Sequence, residues 1–356
     1  LAKVDIIAVL KENAPAVNKT MEKFVPRKYD SASLEFACGK PSYAHDPESA
    51  TKALSEPIWD LLDRGGKRWR PALFLLTMEA LGKNPKEYID FAAGLEIMHN
   101  GSLLVDDVED SSELRRGKPC VHKKFGVDAA INAGNAMYFL PFLAFFKNKD
   151  KVDDKTRAAA YELVLQEMLN LHFGQGLDIF WHKGGKPDVS EKEYLQMCAY
   201  KTGTLARMAA KLAAVLAGAP QKQVDALGKF AEAIGVAFQI QDDLLNISES
   251  ELSKGKGLGE DIHEGKRTLM VIHALAHAPK KDAERLKQIL ASHPSDQKTI
   301  LEAIEVMNKA GSLEYAQQFS RKLVKDAWAG VDSLLPASDA KEKLRAFADY
   351  LVERQI

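Results

Sequence analysis

Apolar and small residues that return every three and four positions constrain this chain more than any other feature. Across Phe91, Leu95, Met98, Ser102 and Val105 the spacings run 4, 3, 4, 3, the interval at which one face of an α-helix comes round. Tyr194–Ala217 and Ala226–Leu245 are rich in Ala, Leu, Met and Lys, residues that favour helix. Strand-like alternation is scarce. Breaks fall at Gly65–Gly66, Gly117–Pro119, Gly184–Pro187, Gly218–Pro220, Gly255–Gly259 and Pro294. The spacing predicts an all-α chain, a helical bundle whose members are joined mostly by short loops. None of the breaks is long or polar enough to be a domain linker. Residues 1–55 are expected to form an N-terminal helix and an arm or loop packed on the core. Within them, residues 28–55 are the least helical part, with Pro26 just before and Gly39, Pro41 and Pro47 inside. Residues 56–356 are expected to form one large domain.

Charge narrows the function classes. Lys plus Arg is 49 and Asp plus Glu is 50, a net charge of −1, so nothing points to nucleic acid or an anionic membrane as a partner. An anionic ligand would need local cationic clusters or metal ions. Cys38, Cys120 and Cys198 are odd in number and form no CxxC pair, which fits a reducing compartment and no structural zinc. The most apolar stretch, Ala136–Phe146, is interrupted by Pro141 and falls short of the roughly 20 apolar residues a bilayer needs, so no transmembrane segment is expected. No signal peptide is expected at the start of the sequence as it stands. It begins at Leu1, so the expected location is the cytoplasm, or an organelle if a targeting peptide was removed.

Two acidic segments carry the chemistry. In Asp106-Asp107-Val108-Glu109-Asp110 the three aspartates fall within one helical arc of about 100° at the end of an apolar run. Carboxylates so gathered repel one another unless a cation sits among them. Hard oxygen donors at this density suit Mg²⁺, which shares its remaining sites with water and phosphate oxygens. The bland alternative is a solvated acidic helix end. A second cluster weakens that alternative: Asp242 and Asp243 follow the largely apolar run Ile234–Ile240, with Gln239 one turn earlier and Asn246 at the third position. If the two segments face each other they form a polyvalent metal site at the mouth of an apolar cavity, with Asn246 contributing less than a carboxylate would.

Cationic side chains flank these segments. Arg115 and Arg116 follow Asp110 in the run RRGKP, and Lys67 and Arg70 lie in GGKRWRP; on a helix Lys67 and Arg70 would share a face, and arginine grips phosphate in a bidentate manner. His99 precedes Asp106 by two turns. Lys201-Thr202-Gly203, Lys256 and Lys266 come later. Taken singly, each is an ordinary surface charge or packed histidine.

Together they form a recognisable pattern. GGKRWRP, HNGSLLVDDVEDSSELRRGKP, KTG, FQIQDD and GKGLGEDIHEGK, in that order from about Glu56 to Ile272, resemble the trans-type isoprenyl diphosphate synthases (the polyprenyl synthetases). Within them LLVDDVEDSSELRRGKP, AMYF, NLHFGQGLDIFW and DDLLN look most like geranylgeranyl diphosphate synthases of the eukaryotic kind, whereas GGKRWRP is closer to prokaryotic and plastid-type members. The resemblance implies the isoprenoid synthase fold, a single large bundle around a central apolar cavity, in a homodimer or an assembly of dimers. It implies a prenyltransferase that condenses isopentenyl diphosphate with an allylic diphosphate (dimethylallyl, geranyl or farnesyl). Asp106, Asp107, Asp110, Asp242 and Asp243 would hold Mg²⁺ on the allylic diphosphate, three ions per site with Mn²⁺ as a substitute. Arg115, Lys201 and Lys256 would bind that diphosphate, with Lys266 close by. Lys67, Arg70, His99 and Arg116 would bind the diphosphate of isopentenyl diphosphate, and Thr202 and Gln239 would lie beside the forming carbocation. The departed diphosphate would take the proton, no side chain being an obvious dedicated base.

Product length is read one turn below the metals, since a turn of about 5.4 Å matches one isoprene unit. Gly101 and Ser102 are small, where farnesyl synthases of the family carry bulky aromatics, so the product is expected to pass fifteen carbons. Met98, Tyr138, Phe139 and His172 are candidates for the floor; Tyr138 and Phe139 could equally be plain core aromatics. The expected product is geranylgeranyl diphosphate. A farnesyl or longer-chain synthase, a class I terpene cyclase and a non-catalytic synthase subunit are the competing readings.

Overall fold

A computed structural model describes residues 4–248 and 258–352, so Lys256 lies outside the described residues. The chain is all-α. Among the described residues the β structure is one hairpin, Leu114–Arg115 paired antiparallel with Lys118–Pro119. The helices gather into two compact units.

The first unit runs to Tyr161 and takes in Leu212–Ala219 and Ser338–Lys343. Its N-terminal helix, Ile6–Phe24, is capped by Asp5, whose side chain accepts from the Ala8 backbone N–H. It buries Val17, Met21 and Phe24 against the helices Trp69–Ala80 and Ile89–Glu109. Trp69–Ala80 is buried nearly all round, as expected of a helix with no polar face. The segment expected as a loop or arm contains short helices, Ser31–Cys38 and Pro47–Ala50, and a π turn, Thr51–Ser55. Asp30 and Ser33 cap the first of these reciprocally, a side-chain signal that outweighs the nearby prolines and glycine. Ser55 and Trp59 tie this segment back by hydrogen bonds to the carbonyls of Pro26 (2.6 Å) and Val25 (3.0 Å). At the far end of the Ile89–Glu109 helix, buried Asp90 pairs with Lys147 at 2.8 Å and accepts from Asn148 at 3.0 Å.

The apolar stretch of this unit is longer than the sequence reading gave it. Val127–Lys147, 21 residues of mean hydropathy 1.3, is long and apolar enough to cross a membrane by length and composition. Its backbone changes from α-helix (Val127–Phe139) to a 3₁₀ turn at Leu140–Phe142, then resumes as Leu143–Lys147. Pro141 in that turn packs beside Gly94 of the Ile89–Glu109 helix, and 44% of the apolar window is buried.

The second unit comprises Glu162–Lys211, Pro220–Ala337 and the chain from Leu344 on. The helix Gln221–Asn246 packs along Ser312–Asp332 and buries Phe230, Ile234, Ala237, Ile240 and Leu244. The helix expected over Tyr194–Ala217 is interrupted: Glu191–Cys198 and Thr204–Leu216 are joined by a π turn, Ala199–Gly203. Cys120 and Cys198 are buried free thiols and Cys38 is exposed.

Candidate active site

Both aspartate pairs sit where a helix ends. Asp106 and Asp107 occupy the last turn of Ile89–Glu109, with Asp110 as its C-cap; Asp242 and Asp243 occupy the last turn of Gln221–Asn246. The C-terminal end of a helix dipole is already negative, so carboxylates there are disfavoured by up to about 1 kcal/mol each unless a cation is near. Within each pair the two residues differ. Asp107 and Asp243 are buried; Asp106 is half-buried and Asp242 exposed.

In the first unit the cation is Arg115. Its Nε donates to Asp107 Oδ1 at 2.7 Å, and its Nη2 reaches Asp106 Oδ2 at 3.3 Å. Burial works against the charge on Arg115, but the neighbouring Asp107 and Asp106 overcome it and raise its pKa. Asp107 Oδ2 is buried and accepts no hydrogen bond from the described residues. Arg115 and Arg116 are held by the hairpin. Arg116 and Gly117 form its two-residue turn at φ 53° and 73°, the double positive φ that a tight type I′ hairpin needs. Arg64 clamps the hairpin from outside, donating to the carbonyls of Arg115 (2.9 Å) and Pro119 (2.8 Å).

Arg116 is directed at the glycine turn, donating to the Gly65 carbonyl and to Asn100 Oδ1. Burial brings its pKa down to about 10, with Glu96 acting in the opposite direction; it stays charged at neutral pH. His99 is pushed well below its ordinary pKa by burial and by Arg70, Arg116, Arg115 and Arg68. It is a neutral imidazole among arginines, able to offer a hydrogen bond and no charge. Lys67 and Arg70 do not share a helix face as the sequence suggested. Gly65, Gly66 and Arg68 all have positive φ and keep the chain out of helix until Trp69. Lys67 is therefore an exposed loop residue, while Arg70 is buried with its guanidinium 4.2 Å from the centre of the Trp69 ring.

The second unit holds Lys201 and Thr202 on the π turn, a local geometry that recurs at functional sites. Two glycines make room for it. A Cβ at Gly174 would lie 2.3 Å from the Lys201 backbone nitrogen, and one at Gly235 would lie 2.5 Å from Gly203 Cα. Lys201 pairs with Asp178 at 2.6 Å. Burial works to raise the Asp178 pKa, and Lys201 and Lys266 overcome it and hold it below the usual value. Thr202 donates to Gln239 Oε1 at 2.7 Å, Gln239 donates to Asp243 Oδ1 at 2.8 Å, and Tyr194 donates to Asp243 Oδ2 at 2.7 Å. Burial and the Asp261 carboxylate push Asp243 up to about 7. Lys266 reaches Asp261 at 3.2 Å and also pairs with Glu264. The Asn246 Oδ1 accepts from the Asp261 backbone N–H at 3.1 Å and so tethers that acidic residue. Asp178, Tyr194, Asp261, Glu96 and Asn100 were missed from sequence. Asn100, Asp178 and Asp261 lie inside motifs singled out above, and for Asp178, within GQGLD, the glycines carry the signal: glycine inside an apolar helix marks a close backbone approach.

No three of the described carboxylate, histidine and cysteine side chains converge as a cage for an ion. One or two carboxylates at each helix end, of which Asp106 and Asp242 are not fully buried, are a donor set that fits Mg²⁺, an ion that keeps waters and takes phosphate oxygens.

The chain-length candidates divide. Gly101 does not open a shaft. A Cβ there would lie 2.7 Å from Met137 Cβ and 3.0 Å from the Gly134 carbonyl, and one at Gly134 would lie 2.7 Å from Val105. The pair lets the two helices touch, with Tyr138 packed beside them. Ser102 is half-buried and donates to the His99 carbonyl at 2.8 Å, and Met98 is buried one turn below. Phe139 is 69% exposed because it lies about 100° round the helix from Tyr138, and His172 is exposed in the other unit, with its Nδ1 against the Met168 carbonyl.

Residues 51–307 match the family model described as polyprenyl synthetase. The chain is 39% identical over 309 residues to a short chain isoprenyl diphosphate synthase of Methanothermobacter thermautotrophicus, covering 87% of this chain and 91% of that protein. It is 32% identical to a geranylgeranyl diphosphate synthase of Methanosarcina mazei, over 83% and 88% of the two chains. The crystal structure of a geranylgeranyl pyrophosphate synthetase from Pyrococcus horikoshii superposes with a TM-score of 0.85 over 98% of each chain, at 31% identity.

Proposed function

The chain belongs to the polyprenyl synthetase family, and from that premise we propose that it makes geranylgeranyl diphosphate by adding isopentenyl diphosphate to an allylic diphosphate. The observation that carries this reading is the placement of both aspartate pairs on negative helix ends with a cationic side chain near each, Arg115 in one unit and Lys266 in the other. Such ends recruit cations, and the cations recruit diphosphate.

Asp106, Asp107 and Asp110, and Asp242 with Asp243, would hold three Mg²⁺, for which Mn²⁺ would substitute. When bound, the metal supplies Lewis-acid stabilisation of the charge that builds on departing diphosphate. Arg115, Lys201 and Lys266 add fixed positive charge for the same diphosphate. Lys67, Arg70 and Arg116 take the diphosphate of isopentenyl diphosphate, and neutral His99 contributes a hydrogen bond to it. Thr202 donates a hydrogen bond to Gln239 Oε1, which leaves its oxygen lone pairs for a cationic carbon. Apolar side chains keep water from that cation, and the departed diphosphate takes the proton released when the new double bond forms.

Ser102, small and half-buried above Met98, supports a product longer than fifteen carbons. A longer-chain product is the second reading, favoured by the exposure of Phe139. We also propose that the chain pairs with a second copy through the Asp154–Phe180 helix, where Leu165, Leu169, Phe173 and Phe180 are all more than half exposed, a stripe that solvent alone does not favour. The deciding experiment supplies dimethylallyl, geranyl or farnesyl diphosphate with isopentenyl diphosphate and Mg²⁺ and sizes the dephosphorylated products. A C20 alcohol is expected. Hydrocarbon release from geranylgeranyl diphosphate alone would point to a cyclase, and no product from any primer would sink the reading.

A further inference from the structure

Four side chains of the first unit form a continuous relay that ends on Arg116, and three of them, Arg68, Glu96 and Asn100, have no role above. Arg68, in left-handed conformation at φ 51°, donates through Nη1 to Glu96 Oε1 at 2.8 Å. The same carboxylate oxygen accepts from Asn100 Nδ2 at 2.9 Å, and Asn100 Oδ1 accepts from Arg116 Nη2 at 3.2 Å. The two arginines also meet at the glycine turn, since the Gly65 carbonyl accepts from both. Gly66 lies directly beneath them: a Cβ there would stand 2.9 Å from Arg68 Nη1 and 3.1 Å from Arg116 Nη2. Arg68 is fixed on its other arms by Asn18 Oδ1 at 2.9 Å and the Leu62 carbonyl at 3.1 Å.

Two guanidinium groups that converge on one glycine turn repel each other, and Arg68 is buried while Arg116 is partly so. The carboxylate placed to offset them is Glu96, which is 2% exposed. A buried carboxylate in this position is costly unless its charge is used. Its two charge-assisted bonds each hold a different element: Arg68 governs the turn that carries Lys67 and leads into Arg70, and Asn100 orients Arg116 from the hairpin.

We propose that Glu96 is a positioning residue for isopentenyl diphosphate, setting the Gly65–Gly66 turn through Arg68 and the Arg116 guanidinium through Asn100. Glu96 touches no substrate in this scheme. The inference rests on the reading that Lys67, Arg70 and Arg116 hold the isopentenyl diphosphate.

The test is steady-state kinetics of the full chain with each substrate varied in turn. Glu96→Gln keeps the size and removes the charge. It is expected to raise KM for isopentenyl diphosphate about tenfold or more, with kcat and the allylic KM within about threefold of wild type. Glu96→Asp, which keeps the charge, is expected to recover most of the loss. Asp90→Asn, nearer the start of the same helix and likewise a buried carboxylate in an ion pair, serves as the control for destabilisation. It is expected to lower the melting temperature without moving the isopentenyl KM. If Glu96→Gln does not fold, Asn100→Ser is read by the same standard. A parallel rise in both KM values, or an unchanged isopentenyl KM in a folded variant, overturns the proposal. Failure of the functional reading itself shows earlier and differently, as absence of any prenyl product from the wild-type chain.

Discussion

The Tyr194 hydroxyl donates a 2.7 Å hydrogen bond to Oδ2 of Asp243, both residues being buried. With Gln239 on the other oxygen, the carboxylate is aimed before any metal arrives. Tyr194→Phe removes one donor and leaves a buried oxygen unsatisfied, at a cost of about 1–3 kcal/mol. The expected outcome is a weaker response to Mg²⁺, roughly tenfold or more in the concentration that half-saturates activity at neutral pH. An unchanged Mg²⁺ titration would show that Tyr194 only fills space.

The pH response follows from the same carboxylate. Its pKa is raised to about 7 by burial and by Asp261, so the metal-free fold prefers the protonated form. Its contribution to stability is fully present below the ordinary carboxylate range and is lost as pH rises through about 7. Mg²⁺ takes the ionised form, so its apparent affinity is expected to fall up to about tenfold per pH unit below that point. Melting temperatures with and without Mg²⁺ check this: the Mg²⁺-induced increase grows from about pH 6 to about pH 8. A shift constant across that range contradicts the assignment.

The two members of the first aspartate pair are expected to fail differently. Asp106→Asn removes a charge from a negative helix end, so stability is unchanged or rises by up to about 1 kcal/mol, while kcat falls on the order of a hundredfold or more. Asp107→Asn also loses the buried partner of Arg115 and lowers the melting temperature as well as kcat. Thermal melts beside single-turnover rates separate the two, and identical behaviour would refute the division of labour.

Product length should respond to Ser102 and not to Gly101. Ser102→Phe is expected to shorten the product to C15, as read by chromatography of the dephosphorylated alcohols. Gly101→Ala meets Met137 and the Gly134 carbonyl, an overpacking that costs about 1–3 kcal/mol and leaves the product length alone. A shortened product from Gly101→Ala would return that residue to the wall of the channel.

Gly174→Ala is expected to displace the turn that carries Lys201, because its Cβ would overlap backbone, which cannot step aside as a side chain can. The loss of activity should exceed the loss of stability. Gly176→Ala, two residues on, where a Cβ meets nothing within 4 Å, is the matched control and should be nearly silent.

Much of this was legible in the sequence. Periodicity gave the helices, and the glycine and proline pairs gave their ends, because both signals are local. The aspartates, Arg115 and Lys201 stood out because their chemistry needs no neighbours to be noticed. What sequence could not give was direction. Asp106 and Asp107 are adjacent letters, yet one is half open and the other is buried under Arg115. Lys67 and Arg70 had helical spacing, but three positive φ values at Gly65, Gly66 and Arg68 deny them a common face. Tyr194 and Glu96 read as ordinary helix residues, since nothing local shows that one meets Asp243 and the other meets two arginines.

The π turn at Ala199–Gly203 sets the register of the two helices it joins. Such a turn carries one residue more than an α-helix of the same length, so the segments on either side are out of register with each other by a single residue. Deleting one residue between Ala199 and Gly203 would splice them into one regular helix and rotate everything beyond by about 100°. Gly174 and Gly235 leave room for that extra residue, so the lysine and threonine that mark this site hold a register that one continuous α-helix would deny them.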